Sequence, residues 1–279
     1  MTRISITQAI QAAQSLGLER LEAQLLALHV LGRRPEERAW LLAHSDEAMP
    51  EGARLQLQAL AQRRAATEPL AYLTGSKEFY GLTLQVDARV LDPRADTETL
   101  VDWALECMDA WTQPGPRLID LGTGSGAIAL ALKHSRTPWQ VHALDFSGDA
   151  LSVARANATR LALEVRFHQG SWLQGMQGRF ALIVSNPPYI VDGDPHLPAL
   201  QHEPLLALTS GPDGLDAIRR IVRDARAHLQ PGAWLLLEHG YDQAEAVRTL
   251  LGDAGLVEVQ SRRDLAGIER CTGAQNPLD

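Results

Sequence analysis

The residues best suited to chemistry form one short segment in the second half of the chain. Ser185-Asn186-Pro187-Pro188-Tyr189 follows directly on the apolar run Phe180–Val184. Because a residue before proline is pushed toward extended geometry, the backbone at Asn186 and Pro187 is stiff. Prolines lack an N–H, so this turn offers carbonyl acceptors, and the Asn186 side-chain oxygen adds another. Two rigidly held acceptors suit a planar NH2 group, and Tyr189 offers a ring face to a flat substrate.

Such a site favours attack by an amide-like or amino nitrogen on a methyl sulfonium. The nitrogen lone pair is delocalised, so acceptor hydrogen bonds that favour a pyramidal nitrogen make it a better nucleophile. No strong general base is needed, because a methylated amide cation loses its proton readily. Positioning supplies up to about 7–11 kcal/mol of barrier reduction, against roughly 3–4 kcal/mol for one aimed polar contact. The simpler alternative is a strand end stopped by prolines, with Asn186 as a turn residue.

A glycine-rich turn earlier in the chain has the features of a ligand-binding loop. The mostly apolar run Leu118–Leu121 leads into it, and a helical pattern follows. A turn of this kind brings backbone N–H groups and a helix N-terminus close to an anionic group. The same spacing also satisfies a loose dinucleotide-binding fingerprint, so the turn alone does not identify the ligand. Its residues are Gly122, Thr123, Gly124, Ser125 and Gly126.

A second strand-like run, Val141–Asp145, ends in a carboxylate. Asp145 follows the glycines by about 20 residues, where such folds place an acid against ribose hydroxyls. Both NAD and S-adenosylmethionine carry that ribose, so Asp145 indicates an adenosine-type cofactor without choosing between them. The simpler role for Asp145 is to cap the next helix, and the two roles are compatible.

Each of these motifs follows a short apolar run, and from about Val90 such runs alternate with helical patterns. This alternation predicts an α/β fold with a mostly parallel sheet and helices on both faces. Sheets of this kind bind ligands at the carboxyl ends of their strands. The predicted strands are Arg117–Leu121, Gln140–Asp145, Val165–His168, Ala181–Ser185 and Ala233–Glu238. The predicted helices are Ala127–His134, Asp149–Leu161, Leu215–Leu229 and Gln243–Leu251.

Residues 1–75 differ in composition and predict a small all-α bundle, because they are rich in Ala, Leu, Gln and Arg. In its second helix, Leu21, Leu25 and Leu28 are expected to share one buried face. The bundle is either a structural cap or a module that recognises a partner, and helix patterning alone does not decide between these roles.

The alternating residues after the bundle predict a hairpin at 76–90 that links it to the catalytic domain. Leu82, Leu84 and Val86 alternate with polar residues, which is a strand signal. The remaining residues, 91–279, form the predicted α/β domain. Residues from Gln275 to the end are expected to be a loose end.

Composition and charge narrow the classes of function. The chain has 279 residues, 45% apolar, with a formal net charge of −8. No apolar run is long enough to cross a bilayer, and no signal-peptide core is present, so a cytoplasmic protein is expected. The acidic balance favours a protein or small-molecule partner over direct binding of nucleic acid. His134, His142 and His168 do not share a ligand-like spacing, so no metal site is expected.

Together, the glycine turn, Asp145 and Asn186-Pro187-Pro188-Tyr189 resemble the class I methyltransferases that act on amide or exocyclic amino nitrogens. Narrower matches extend the resemblance over essentially the whole chain. With the helical N-terminal region, they resemble the HemK/PrmC family of peptide-chain release factor glutamine methyltransferases. The narrower matches are Pro93–Glu98, Glu203-Pro204, Gly211–Leu215 and Leu236–Gly240.

The resemblance implies a substrate, a cofactor and roles for individual residues. The substrate is the glutamine of the Gly-Gly-Gln motif in bacterial class-1 release factors, and the methyl donor is S-adenosylmethionine, which becomes S-adenosylhomocysteine. Asp145 would hold the ribose and Trp172 would pack near the adenine, while the glycine turn lines the methionine side. Asn186 and the Pro187 carbonyl would receive the glutamine NH2, and Asn186 would also contact the cofactor. The chain departs from the family pattern at Ser171, where an acid is usual, and at Asp92, where an apolar residue is common.

Three alternatives remain open from the residues. A DNA adenine or ribosomal RNA amino-group methyltransferase would use the same Asn-Pro-Pro-Tyr segment, but the chain shows no evident basic, aromatic nucleic-acid module. A nicotinamide dehydrogenase would account for the glycines and Asp145 but not for the residues from Asn186 to Tyr189. A non-catalytic binding module would need none of these residues, and a failure to bind S-adenosylmethionine would favour it.

Overall fold

The computed structural model describes residues 3–278, which form two compact units. The division falls between Ser76 and Lys77. Each unit has its own buried apolar cluster. Within residues 3–278, every helix is too short or too polar to span a bilayer.

The first unit is the predicted helical bundle. Ser5 begins the first helix with a capping box, in which its Oγ accepts from the Gln8 N–H at 3.2 Å and the Gln8 side chain accepts from the Ser5 N–H at 2.9 Å. Ile6, Leu26 and Leu57 are among the residues of its core. Helices α1 to α5 span Ile6–Gln14, Arg20–Val30, Arg38–Ala43, Glu51–Ala65 and Leu70–Thr74.

The buried face of α2 differs from the predicted one. Leu28 is buried as expected, but Leu21 is 47% exposed, and the inner face is completed by Ala23, Leu26 and Ala27. The prediction that Leu21 lies on this face is therefore wrong. The two alanines add no bulk, so α2 packs closely against both α1 and α4, and leucine spacing alone did not reveal which stripe does so.

The predicted hairpin follows the bundle. Its strands are β1, Ser76–Phe79, and β2, Leu82–Gln85, and they form a two-stranded sheet. The two residues between them, Tyr80 and Gly81, have φ of +50° and +74°. Two successive positive φ values are what a tight two-residue hairpin turn requires, since its twist then matches that of the strands.

The second unit is built on a seven-stranded sheet with the order β5-β4-β3-β6-β7-β9-β8. Strands β3 to β7 pair in parallel, whereas β9 is antiparallel to both β7 and β8. The predicted mostly parallel α/β fold is confirmed. Strands β3 to β9 span Arg117–Leu121, Gln140–Asp145, Arg166–Gln169, Phe180–Ser185, Leu229–Glu238, Val257–Arg263 and Glu269–Gln275. Helices α6 to α10 span Glu98–Ala110, Ala127–Ser135, Gly148–Leu161, Asp216–His228 and Ala244–Asp253.

The C-terminal strand pair and α6 were not predicted from the sequence. The edge strand β8 is mostly exposed and rich in charged residues, so it lacks the apolar run that marks the other strands. The expected loose end is wrong at its start, because Gln275 belongs to β9 and Asn276 is buried. The Asn276 side chain donates to the carbonyls of Leu229 and Gln230 at 3.3 and 3.2 Å.

Asn157 joins the hairpin to the glycine-rich turn. It lies on α8 and is fully buried. Its Nδ2 donates to the carbonyls of Gln85 and Ser125 at 2.9 and 3.0 Å, and its Oδ1 accepts from the Gln85 N–H at 2.7 Å. One side chain thus satisfies three backbone groups, which would otherwise lose their partners.

Replacing Asn157 by alanine is expected to lower the free energy of unfolding by about 2–3 kcal/mol, because each buried polar group left unpaired costs roughly 1–3 kcal/mol. Urea denaturation measures the change. Ser152→Ala on the exposed face of the same helix is the control, with an expected change within about 0.5 kcal/mol. Equal effects of the two substitutions would mean that the Asn157 contacts contribute nothing specific.

Candidate active site

The sheet brings the ends of four strands to one edge. Strands β4, β3, β6 and β7 are neighbours and run in parallel, so their carboxyl ends lie on the same side. At the end of β3, Leu121 pairs with Leu144 on one side and with Ser185 on the other. Every motif singled out in the sequence for chemistry starts at this edge. The residues that follow these strand ends or form them are Gly122–Gly126, Asp145, Asn186 and Glu238.

The glycine turn leaves β3 with a backbone that only glycine adopts easily. Gly122, Gly124 and Gly126 have φ of +70°, +55° and +86°. A Cβ at Gly124 would meet no heavy atom within 4 Å, so the space over the turn is open to a ligand. A Cβ at Gly126 would instead lie 3.0 Å from Leu130 and 3.3 Å from Ala154. The first two glycines therefore allow the turn its backbone conformation, and the third allows α7 and α8 to pack close to each other.

Asp145 ends β4 and is bonded to backbone on both of its oxygens. Oδ2 accepts from the Gly124 N–H and Oδ1 accepts from the Ser147 N–H, each at 2.8 Å. Burial raises the pKa of Asp145, and these two hydrogen bonds oppose that effect. Ser147, not Asp145, caps α8, since its Oγ accepts from the Ala150 N–H at 3.2 Å. Each carboxylate oxygen keeps acceptor capacity for a ligand hydroxyl.

Trp172 borders the glycine turn. Its ring carbon Cζ3 lies 3.5 Å from the position that a Cβ at Gly122 would take. The residue has a φ of +51° and packs against the apolar core beneath the sheet edge. A non-glycine residue at a positive φ raises the conformational energy of the backbone, and such a residue persists where packing around it fixes its position. Ser171, beside it, is half-buried.

Asp120 is a buried acid beneath the turn, and no role was predicted for it from the sequence. Its Oδ2 accepts from the Thr123 hydroxyl at 2.6 Å and from the Ala129 N–H at 3.2 Å. Oδ1 is buried without a hydrogen-bond partner among the described residues. Burial is the main cause that raises the pKa of Asp120 to about 7. The carboxyl therefore holds the turn and the start of α7 from below.

Asn186 is half-buried immediately after β6 and is held from one side. Its Nδ2 donates to the Thr97 hydroxyl at 3.1 Å. Thr97 is buried at the end of a short 3-10 turn, Ala95–Thr97, before α6. Within residues 3–278 no hydrogen bond reaches Asn186 Oδ1. This oxygen therefore keeps its capacity to accept a hydrogen bond.

In the rest of the Asn-Pro-Pro-Tyr segment, the Tyr189 hydroxyl points into the protein. Pro187 is buried, and Pro188 and Tyr189 are half-buried. The Tyr189 hydroxyl lies 3.5 Å from Glu238 Oε1, a long hydrogen bond. Burial, and then the Glu238 charge, raise the pKa of Tyr189. Tyr189 is thus neutral, with its hydroxyl directed at a buried carboxyl.

Gln243, which the sequence did not mark, connects three loops at this edge. Its Nε2 donates to the Tyr189 and Asp213 carbonyls at 3.0 and 3.3 Å, and its Oε1 accepts from the Gly240 N–H at 2.8 Å. Gly214, with φ of +74°, lies so close that a Cβ there would be 2.2 Å from the Tyr189 carbonyl oxygen. The backbone of the Asn-Pro-Pro-Tyr segment is therefore fixed at its far end as well.

A buried ion cluster ties the segment before α6 to the loop after Tyr189. Glu203 is buried, and it accepts from the Arg94 guanidinium and from the Asp92 N–H, the latter at 3.2 Å. The buried Asp92 carboxyl is itself 3.3 Å from Lys77 Nζ and 3.6 Å from Arg94. Asp92 thus has two cationic neighbours.

Two histidines that the sequence treated separately are in contact. His142 Nδ1 lies 2.9 Å from His168 Nε2, and the rings stack. Burial lowers the pKa of His142 to about 4, and burial also lowers the pKa of His168. Within residues 3–278, no group of three or more His, Cys, Asp or Glu side chains is arranged to hold a metal ion.

The fold and this strand edge define a methyltransferase of the doubly wound α/β type. Residues 101–202 match the family model of the methyltransferase small domain, and residues 5–75 match that of the PrmC N-terminal domain. A 16S rRNA N2 G1207 methyltransferase of T. thermophilus, solved with AdoMet and guanosine, superposes with a TM-score of 0.53 at 19% identity. That comparison covers 72% of this chain and 49% of the other, and it supports the fold alone.

Closer relatives identify the family. The release factor glutamine methyltransferase of Bordetella pertussis is 50% identical, over 92% of this chain and 95% of the relative. Its counterpart from Xylella fastidiosa, strain Temecula1, is 48% identical, over 96% of this chain and 98% of the relative. The chain belongs to the release factor glutamine methyltransferase family, so the resemblance found in the sequence is confirmed.

Gly214→Ala is expected to destabilise the second unit, because alanine at a positive φ costs roughly 1–2 kcal/mol and its Cβ would overlap the Tyr189 carbonyl. Gly252→Ala is the matched control, since Gly252 lies inside α10 with nothing within 4 Å of its Cβ position. It should be neutral or stabilising by up to about 1 kcal/mol. The melting temperatures of both variants test this prediction. An unchanged melting temperature in Gly214→Ala would contradict the close contact between Gly214 and the Tyr189 carbonyl.

Proposed function

We propose that this chain transfers a methyl group from S-adenosylmethionine to the side-chain amide nitrogen of the glutamine in the Gly-Gly-Gln motif of bacterial class-1 release factors. The observation that carries the proposal is the Asn186 side chain, whose donor is bonded to Thr97 and whose acceptor is left free at the strand edge. Family membership adds the identity of the substrate, since the relatives are named for release factor glutamine methylation.

The residues at the edge suit S-adenosylmethionine. The open space over Gly124 admits a ligand close to backbone, and the turn supplies N–H groups for the methionine carboxylate. Asp145 keeps acceptor positions for the ribose hydroxyls, and Trp172 offers an apolar wall beside Gly122 for the adenine. When bound, the cofactor supplies a methyl group on a positively charged sulfur. Thr123, Ser125 and Gly126 complete the turn of the proposed cofactor site.

The substrate glutamine would place its NH2 group between two acceptors. Asn186 Oδ1 is one, and the Pro187 carbonyl is the other, because proline at the next position removes a competing N–H donor. Pro188 and Tyr189 complete the wall of the substrate pocket. This arrangement selects a planar group with two hydrogens to donate, which is what the end of a glutamine side chain presents.

The chain's residues act by orientation rather than by proton removal before attack. With both hydrogens engaged, the amide nitrogen would present its lone pair to the methyl carbon. Transfer would form the N–C bond as the C–S bond breaks, and the sulfonium would become the neutral thioether of S-adenosylhomocysteine. The methylated nitrogen then loses one proton to water. Holding the reacting atoms in line accounts for up to about 7–11 kcal/mol of the barrier.

The remaining parts of the proposal concern partners and place. Residues 1–75 would form the substrate-recognition bundle, with 76–90 as a hairpin linker and 91–279 as the methyltransferase domain. The partner is a release factor protein, and the net charge of −8 disfavours direct binding of a phosphate backbone. The enzyme would work in the cytoplasm, where its protein substrate is made, without binding a membrane.

Purified enzyme is expected to move radiolabelled methyl from S-adenosylmethionine to a class-1 release factor, and not to the same factor with Gln→Ala in its Gly-Gly-Gln motif. The amide NH2 is the group that the site is built to hold, so its removal should abolish labelling. Label on ribosomal RNA or DNA instead, with none on the release factor, would keep the methyl transfer and replace the substrate.

Two substitutions should separate cofactor binding from catalysis. Asp145→Asn removes the charge that would hold the ribose and should raise the Kd for S-adenosylmethionine about tenfold to a hundredfold. Asn186→Ala should raise that Kd less than Asp145→Asn does and should lower kcat by roughly 10²–10³, as for loss of one aimed polar group. Calorimetry and single-turnover labelling give the two quantities. The assignments are wrong if the two variants show the opposite pattern.

A further inference from the structure

A buried pair of side chains lies directly behind Asn186. Thr97 and Glu238 are 4% and 2% exposed, and the Thr97 hydroxyl accepts the hydrogen bond from Asn186 Nδ2. Thr97 precedes α6 and Glu238 ends β7, so two elements outside the Asn-Pro-Pro-Tyr segment reach the residue that would receive the substrate.

The orientation of the Asn186 amide decides whether it helps or hinders a substrate NH2 group. Its oxygen only accepts hydrogen bonds and its nitrogen only donates them. With Nδ2 on Thr97, the oxygen faces the pocket, where two hydrogens of a substrate would meet an acceptor. Rotated by 180°, the amide would present its own hydrogens to those of the substrate, and binding would lose an acceptor and gain a repulsion.

The Thr97 hydroxyl has one hydrogen, and Glu238 is the neighbouring group that would accept it. The Thr97 side chain interacts with the Glu238 carboxyl, and this interaction opposes the effect of burial on the pKa of Glu238. An ionised carboxylate only accepts, so it would draw the threonine hydrogen toward itself and leave the hydroxyl lone pairs for Asn186. Within residues 3–278, Glu238 Oε2 has no hydrogen-bond partner, although it is buried.

The environment of Glu238 contains charged groups on several elements. Its pKa is raised to about 7, chiefly by burial and also by Asp96, while Thr97, Arg270 and the Tyr189 hydroxyl oppose the rise. Cys271, on β9, pairs with Glu238 across the sheet and is held neutral by a raised pKa. Among the described residues, no salt bridge is formed with the buried Glu238 carboxyl, so its burial lowers the stability of the fold. Such a cost is expected of a group that serves a functional site.

We infer that Thr97 and Glu238 are positioning residues that fix the Asn186 amide with its oxygen toward the substrate. The inference deepens the proposed function and rests on it for the identity of the substrate. Thr97 accepts from Asn186 only while its own hydrogen is directed at the carboxylate. Protonated Glu238 would donate to Thr97, free the threonine hydrogen to face Asn186 Oδ1, and so favour the rotated amide.

The kinetic test compares Thr97→Val with Thr97→Ser and with Thr99→Val, the same change two residues further along. Valine keeps the shape but removes the hydroxyl, so kcat should fall about a hundredfold, the effect of a small misplacement at a reacting centre. Serine should restore most of it, and Thr99→Val should resemble the wild type. In an Asn186→Ala background, Thr97→Val should cause no further loss. The Kd for S-adenosylmethionine and the melting temperature of the single variant Thr97→Val should match those of the wild type.

The pH profile provides a readout that a purely structural role would not change. In the wild type, kcat should rise as pH increases through about 7, because ionised Glu238 holds the productive orientation. Glu238→Gln, which does not ionise, should flatten this rise. A wild-type kcat in Thr97→Val would overturn the inference, and so would a raised Kd for S-adenosylmethionine with an unchanged kcat, since Thr97 would then serve the cofactor.

A measurement on the free enzyme separates this inference from the proposed function. The side-chain NH2 resonance of Asn186, assigned by its loss in Asn186→Ala, should exchange with solvent about tenfold faster in Thr97→Val, as expected for one lost hydrogen bond of about 1.4 kcal/mol. Thr99→Val should leave the exchange unchanged. Equal exchange in wild type and Thr97→Val refutes the positioning role, whereas absence of label on any release factor refutes only the proposed substrate.

Discussion

The positions of all polar groups in this site depend on the parallel pairing of β3 with β4 and β6. Leu121 pairs with Leu144 and Ser185, and the Ser185 hydroxyl adds a buried hydrogen bond to the Leu121 carbonyl at 2.7 Å. The chain leaves the sheet at these residues to form the glycine turn and the Asn-Pro-Pro-Tyr segment. A slip of one residue would turn every side chain of a strand to the other face. The sheet register therefore sets the distance between the proposed cofactor and substrate sites.

Two buried acids lie beneath the two functional turns, and both have a pKa raised to about 7, mainly by burial. Asp120 binds the hydroxyl of Thr123 in the glycine turn, and Glu238 lies against Thr97 and Tyr189 near Asn186. Hydrophobic residues of similar size would be less costly at both positions. Polar side chains give directional contacts that apolar ones lack, so each acid fixes its turn at some expense of stability.

The sequence predicted the parts of the fold and site whose signals are local. The glycine turn, Asp145 and Asn186 each follow an apolar strand, and strand-end placement follows from that order alone. The roles of Thr97, Glu203 and Gln243 were not predicted, because their partners are distant in sequence and no local pattern marks them. Edge strand β8 is mostly exposed and therefore lacks an apolar run, which is why it was not predicted. In α2, leucines at helical spacing predicted a face that includes the exposed Leu21, whereas the stripe that packs against α1 and α4 is Ala23, Leu26 and Ala27 with Leu28.

The segment 92–97 lies outside the sheet, yet it contacts residues on the proposed substrate side of the edge. Thr97 holds Asn186, while Arg94 and the Asp92 N–H hold Glu203, beyond the Asn-Pro-Pro-Tyr turn. Gln243 fixes the carbonyl at the far end of that turn. A weakly nucleophilic amide gains most from accurate placement, and placement is only as good as the groups that hold the contacting residues. In the proposed mechanism, the residues that orient Asn186 without touching the substrate therefore matter to catalysis as much as Asn186 does.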